Sequence, residues 1–332
     1  MSRYAISGPS LNHAEMGGKL QLEMGWLMEA QLFSAMGSWG MVIYGGARMN
    51  FDHYNRPIAM SDPGRHAALF EDLPRDAGAL AKIVQGPLIH QHIAPAYGVT
   101  LSRDQQAQSH VRPVEKILDD IVVRDSRPLS APRATNKRQV GVCRHFTLLH
   151  VAMLRTWGIP ARARCGFGVY FEKDKYLDHW VTEYWNEKKK CWALFDAQID
   201  ERQRELFKIG FDTADVPRDQ FVVAGDAGSL CRGGKADPGA FGILDMHGLW
   251  FIAGNIIRDI AALNNQEMLP WDVWGAMCRQ DSALDLAFFD RLAVVSREPD
   301  AHVDELSALY VDERVNVPGT VFNAVLNCAQ KV

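Results

Sequence analysis

The chain lacks the marks of several large classes of protein. Its six cysteines, at 143, 165, 191, 231, 278 and 328, are scattered and form no Cys-x-x-Cys pair, so a disulfide framework is not expected at 332 residues. The start MSRYAISGPSLNHAEMGGKL has no basic stretch followed by an apolar core. No secretory signal is therefore read there, and reduced thiols in a cytoplasmic protein are the expectation. The most apolar windows, such as 248–257, are too short and too broken by Gly and Asn to span a bilayer. Neither sign of charge dominates: the formal net charge is −4 with both signs interspersed, which argues against nucleic acid and anionic membrane as partners. Internal repeats and low-complexity tracts are missing too.

The common cofactor and hydrolase motifs are also incomplete. Residues 166–168 (GFG) lack the third glycine of a dinucleotide fingerprint. Residues 228–236 (GSLCRGGKA) miss the P-loop pattern at both ends, and no G-x-S-x-G is present to suggest a serine hydrolase. His90, His92, Cys143 and His145 do not have zinc-ligand spacing, so neither a metal nor any other cofactor is expected.

What is present is a packed core, with 47% hydrophobic and 23% charged residues. The segment 19–43 reads as one helix or two short ones, 52–66 as a loop, and 76–92 and 113–123 as helices. Residues 124–139 form a polar loop with five cations, and a basic lip that attracts a carboxylate-bearing substrate is one reading of it. From Phe146 to Trp157 the apolar positions run nearly unbroken, which predicts a central helix buried on most faces. Gly158 and Pro160 end it. Ala161, Ala163, Cys165, Phe167, Val169 and Phe171 then alternate as one face of a strand. Residues 179–186 and 191–196 read as two further strands around the polar turn Glu187–Lys190. The Gly-rich segment 225–240 reads as a loop. Helices are expected near 247–263, 271–279, 282–296, 301–312 and 319–330. The predicted fold class is α+β, a central buried helix on an antiparallel sheet with helical additions at both ends. Three regions follow: an extension over 1–70, a catalytic core over 71–235 and a helical subdomain over 236–332.

Cys143 is the most informative residue. It stands in Gly141-Val142-Cys143-Arg144-His145-Phe146, just before the buried helical run. Alone, such a cysteine is usually a small buried hydrophobe. At a helix start, however, unpaired N–H groups and the positive end of the helix dipole favour the thiolate, which is the attacking species. His179 and Asp196 follow in order on the two strands. If the turn between those strands centres between Glu187 and Lys188, the two side chains stand directly opposite each other, as a carboxylate that orients an imidazole should. Cys143, His179 and Asp196 are thus the candidate catalytic residues, with Gln139, Arg144, Tyr170 and Trp180 as candidate substrate contacts. Activity should fall in mild acid, where a thiolate–imidazolium pair is lost.

The stretches GVCRHFTLLHVAMLRTWGIPARARCGFGVYF, DHWVTEYWN and KCWALFDAQID together resemble the transglutaminase-like superfamily, which is related in architecture to papain. The likeness covers about residues 71–235. Trp180 directly follows the histidine where members commonly have tryptophan two residues on, and Ala197 stands where proline often follows the aspartate. The resemblance implies acyl transfer through a thioester at Cys143, with His179 as general base and acid and Asp196 as its orienter. Hydrolysis of an amide or peptide bond in a peptide or small amide substrate is the expected reaction. Transfer to a primary amine is the first alternative, and a catalytically idle binding module the second. The aromatic residues Trp250, Phe251, Trp271 and Trp274, together with the Gly-rich segment, are candidates to roof the cleft. Oligomeric state is not readable from the chain.

Overall fold

The computed structural model describes residues 43–44, 47–48 and 51–332. The helix expected within 19–43 lies outside the described residues. Residues 43–332 form one compact unit. Between 51 and 70 the expected loop carries a short helix, Phe51–Tyr54, and two 3-10 turns, Ala59–Ser61 and Gly64–Phe70.

Helix α1 spans Ala77–Gln85 and starts where the Asp76 carboxylate accepts from the Ala79 N–H at 2.9 Å. It is shorter than expected, because Gly86 and Pro87 stop it and the chain continues as strand β1, Leu88–His90. Helix α2 (Val114–Arg124) buries Val114, Ile117, Leu118 and Ile121, which recur at helical spacing. Strand β2 (Gln139–Gly141) pairs in parallel with β1 and leads straight into helix α3, Cys143–Thr156.

Every residue of α3 from Cys143 to Arg155 is buried. The apolar ones join a single large core with Leu80 and Val84 of α1, the buried face of α2, and Trp180. The polar ones are there because each has partners. His150 sits 3.1 Å from Thr182 Oγ1 and 3.0 Å from the Ala77 carbonyl. Arg155 donates from Nε to the Ala161 carbonyl at 2.7 Å. A buried polar side chain without such bonds would cost about 1–3 kcal/mol.

The main sheet follows. Strand β3 (Ala161–Gly168) lies antiparallel to β4 (Tyr176–Asn186) and, at its far end, to β6 (Phe221–Val223). The other edge of β4 is shared. Its start pairs in parallel with β7 (Phe241–Ile243), and its end pairs antiparallel with β5 (Cys191–Phe195). The β4–β5 register places Thr182 opposite Phe195 and Asn186 opposite Cys191. The turn is therefore the four residues Glu187–Lys190, centred one residue later than expected, with Lys190 left-handed at φ 53°. As a result, His179 and Asp196 are diagonal neighbours and not a directly opposed pair.

Beyond 224 the expectations need three corrections. The Gly-rich segment contains helix α4, Ala224–Arg232. Its glycines serve close packing, since a Cβ at Gly225 would lie 2.5 Å from the Ala293 carbonyl and one at Gly228 3.0 Å from Ile256. The stretch near 271–279 forms only a two-residue bridge, Asp272–Val273. The stretch 319–330 is a hairpin of β8 (Thr320–Asn323) and β9 (Cys328–Lys331). There the Asn323 side-chain oxygen accepts from the Val325 and Leu326 N–H groups, and Asn327 is left-handed at φ 52°. Such local side-chain bonds and positive φ favour a turn over a helix. The remaining helices, α5 (Leu249–Leu263), α6 (Leu286–Arg297) and α7 (Val303–Tyr310), agree in kind with the expectation. Helix α5 shares the core of α3, so 235/236 is not a break in packing. Its Asp259 carboxylate accepts from the Cys165 N–H at 2.9 Å, which caps the edge of β3 beyond the reach of β6.

Strand β3 also carries a buried ionic network. Arg162 and Arg164 both donate to Glu183 Oε2, at 2.7 and 2.8 Å. Arg164 is further held by Asp259, and Arg162 by Asp300. Period-two alternation marks the apolar face of this strand but hides that its other face is charged and buried.

Candidate active site

Cys143 is the first residue of α3, with extended Val142 as its cap (φ −125°, ψ 177°). His145 shapes this start. Its Nδ1 accepts from the Val142 N–H at 3.1 Å, and its Nε2 then donates to the Val111 carbonyl at 3.0 Å. Burial pushes the His145 imidazole down to about 3, so it stays neutral and holds this tautomer. Of the first-turn N–H groups, that of His145 donates to the Val142 carbonyl at 2.8 Å, while Cys143 and Arg144 precede any helical partner.

His179 comes from β4. Opposite it on β3 is Gly166, where a Cβ would lie 2.3 Å from the Val222 carbonyl and 2.9 Å from the Phe221 ring. Only glycine lets β6 close over this point. Asp196 lies one residue past β5. Its Oδ2 accepts from His179 Nε2 at 2.9 Å and from the Tyr170 hydroxyl at 2.6 Å, and its Oδ1 accepts from the Gln198 N–H at 3.0 Å. With Nε2 committed to Asp196, the His179 ring keeps Nδ1 free, and Cys143 lies close enough to raise its proton affinity. Burial alone would push the imidazole down. The Asp196 carboxylate outweighs it and, with Cys143, lifts His179 to about 10. Cys143 is 6% exposed, His179 2% and Asp196 1%, so the three meet in a largely water-free place. Phe171 stands edge-on to the His179 ring at 4.8 Å and to Phe207 at 5.0 Å, which gives that side of the site an aromatic wall.

The four candidate substrate contacts separate. Tyr170 joins the site, but through Asp196. Gln139 is fully buried and donates to Asp120 Oδ2 at 3.2 Å and the Gln108 carbonyl at 3.4 Å. Arg144 is fully buried with its guanidinium on the carbonyls of Glu267 and Arg112. Trp180 alternates with His179 along β4 and lies in the core. All three side chains are thus buried and turned onto partners within the protein. Of the suggested roof, Phe251 and Trp274 are core residues. The basic loop is partly spent on itself: Arg133 turns inward onto backbone carbonyls, and Arg127 pairs with Asp125. No cluster of three or more His, Cys, Asp or Glu suited to a metal occurs among the described residues. None of their helices is long and apolar enough to cross a membrane.

Residues 96–197 match the family model of the Transglutaminase-like superfamily. Over this stretch the chain is transglutaminase-like. The matched segment is narrower than the 71–235 expected, but it contains Cys143, His179 and Asp196 together with β2 to β5. No curated protein matches the chain. Among solved structures, a "Putative Cysteine Protease" from Cytophaga hutchinsonii aligns at 19% identity over 53% of this chain and 54% of that one, with a TM-score of 0.18. The alignment thus spans about half of either protein. One partner in this arrangement was not legible in the sequence: Gln198 holds Asp196 through its backbone N–H, which no motif reports.

Proposed function

We propose that the protein is a cysteine-dependent acyl-transfer enzyme whose reaction begins with attack of the Cys143 thiolate on an amide carbonyl. The observation that carries this reading is the position of His179, held by Asp196 at Nε2 and close enough to Cys143 for the thiol to act on its charge. The match to the transglutaminase-like superfamily supports the same chemistry. In the first step the sulfur–carbon bond forms and a tetrahedral oxyanion develops, beside N–H groups at the start of α3 that can receive it. As the C–N bond breaks, the His179 imidazolium gives its proton to the leaving amine. Neutral His179 then takes a proton from water, and the thioester hydrolyses to the acid. If a primary amine enters instead, the same steps yield a new amide. Hydrolysis of a peptide or small amide is the reading advanced here, and the aromatic wall of Phe171 and Phe207 suits an apolar group on one side of the scissile bond.

Intact-mass spectrometry with a panel of amide and glutamine-bearing donors, with and without a primary amine, tests it. An adduct that forms in wild type and in Cys165→Ala but not in Cys143→Ala supports the assignment. Its decay to acid, unaltered by the amine, supports hydrolysis; capture by the amine supports transfer. Thiol alkylation distinguishes the idle binding module. Cys165 is fully buried and its thiol is pushed well up, by burial first and then by Asp178. A Cys143 no faster to alkylate than Cys165 would count against catalysis.

A further inference from the structure

His90 ends strand β1, where the parallel ladder pairs it with Gly141, two residues before the nucleophile. The ladder continues past it, as the Gln91 N–H donates to the Gly141 carbonyl at 2.8 Å. Adjacent strands stand only about 5 Å apart, so β1 delivers His90 to the same end of the sheet at which β2 delivers Cys143. Of the groups whose charge acts on its ring, His179 belongs to the candidate site. Its tautomer is set locally. The His92 N–H donates to His90 Nδ1 at 3.3 Å, so the ring proton sits on Nε2. That N–H has no partner among the described residues and is not one of their sealed, unpaired atoms. Burial and the three neighbouring histidines keep the ring neutral, holding it well below an ordinary histidine. A neutral imidazole with one free N–H is a donor that neither competes for the proton His179 must move nor repels the imidazolium.

We propose that His90 is a further catalytic residue, donating its Nε2–H to the carbonyl oxygen of the acyl donor as that oxygen gains negative charge. The proposal rests on the acyl-transfer reading of Cys143 given above. No covalent bond to His90 forms and its proton is shared, not transferred. Loss of such a donor typically lowers turnover by about 10²–10³-fold while leaving ground-state binding nearly intact.

The test uses the full chain with p-nitrophenyl acetate as acyl donor and iodoacetamide as a thiol probe. Alkylation needs the thiolate but creates no oxyanion, so it reads the Cys143–His179 pair alone. The expected result for His90→Ala is a fall of at least tenfold in kcat with KM changed less than threefold, and a Cys143 alkylation rate within twofold of wild type. Partial recovery of kcat in His90→Asn, which keeps a donor, is expected as well. A kcat within twofold of wild type overturns the proposal. So does a loss in alkylation as large as the loss in turnover, which would mean that His90 serves the pair or the fold instead. A change confined to KM would assign His90 to ground-state binding and equally overturn it. The underlying reading fails separately: ester turnover that persists in Cys143→Ala, or none above background in wild type, removes both.

Discussion

Tyr170 and His179 meet on one oxygen: the phenol lies 2.6 Å and the imidazole Nε2 2.9 Å from Asp196 Oδ2. The carboxylate is thus steadied by a neutral donor while it steadies a charged one. Tyr170→Phe should remove the first bond and leave the carboxylate charge more fully on His179. The imidazolium is then held more tightly, so the alkaline limb of the pH–activity profile should move up and kcat should fall several-fold. A hydrogen bond to a charged group is worth about 1.5–3 kcal/mol, and urea unfolding should show a loss of that order. An unmoved limb would separate Tyr170 from the imidazole.

The opposite shift is expected for Asp196→Asn. His179 stands at about 10 because the Asp196 carboxylate outweighs burial. With the charge gone burial dominates, and the alkaline limb should drop toward or below 6.5, the ordinary value. The stability sign follows. A histidine raised in the folded state adds stability that is fully present below the unfolded value and is lost as pH rises through the folded one. Wild type should therefore lose stability between about 6.5 and 10, and Asp196→Asn should not. Melting temperature measured from pH 6 to 11 checks this.

Glu183 should matter to the fold alone. Its carboxyl accepts from Arg162, Arg164 and Arg218, whose charges outweigh burial and hold it well below the ordinary carboxylate range. Glu183→Gln leaves two buried guanidinium groups short of an anion and should cost about 3–5 kcal/mol in urea unfolding. A depressed carboxyl adds stability above its unfolded value that is lost as pH falls through the folded one. The gap between variant and wild type should therefore narrow in strong acid.

Gly225→Ala tests the close approach of α4 to α6. The new methyl would lie 2.5 Å from the Ala293 carbonyl and 2.8 Å from the Ser296 side chain. Relief of glycine's backbone entropy returns at most about 1 kcal/mol, whereas overpacking costs about 1–3, so a net loss is expected. Gly210→Ala, with nothing within 4 Å, should change little. Equal melting temperatures for the two would contradict the helix contact.

The sequence spoke most clearly where local chemistry and global packing agreed. The unbroken apolar run predicted α3, and its burial places Cys143 at a helix start. The alternation in 161–167 predicted β3, and the polar Glu187–Lys190 predicted a turn, though one residue early. That single step turned an expected face-to-face histidine and aspartate into a diagonal pair that still bonds. Misreadings arose where one signal stood for two situations. Glycines at 225 and 228 suggested a loop because glycine serves turns, but here they let helices touch. Residues 319–330 read as a helix because their turn depends on Asn323 and Asn327, whose effect appears only in the folded backbone. Gln139, Arg144 and Trp180 turn out to be fully buried, a placement that depends on strand alternation and distant partners. The burial of Arg162 and Arg164 is not legible locally, since the acids that accept from them lie up to 138 residues away.

Asp259 gives β3 a property unrelated to chemistry at Cys143. By occupying the Cys165 N–H it puts a negative charge where an added chain would have to present its own carbonyl. At that rung the ladder cannot lengthen, so the sheet ends there on a side chain and not on another strand.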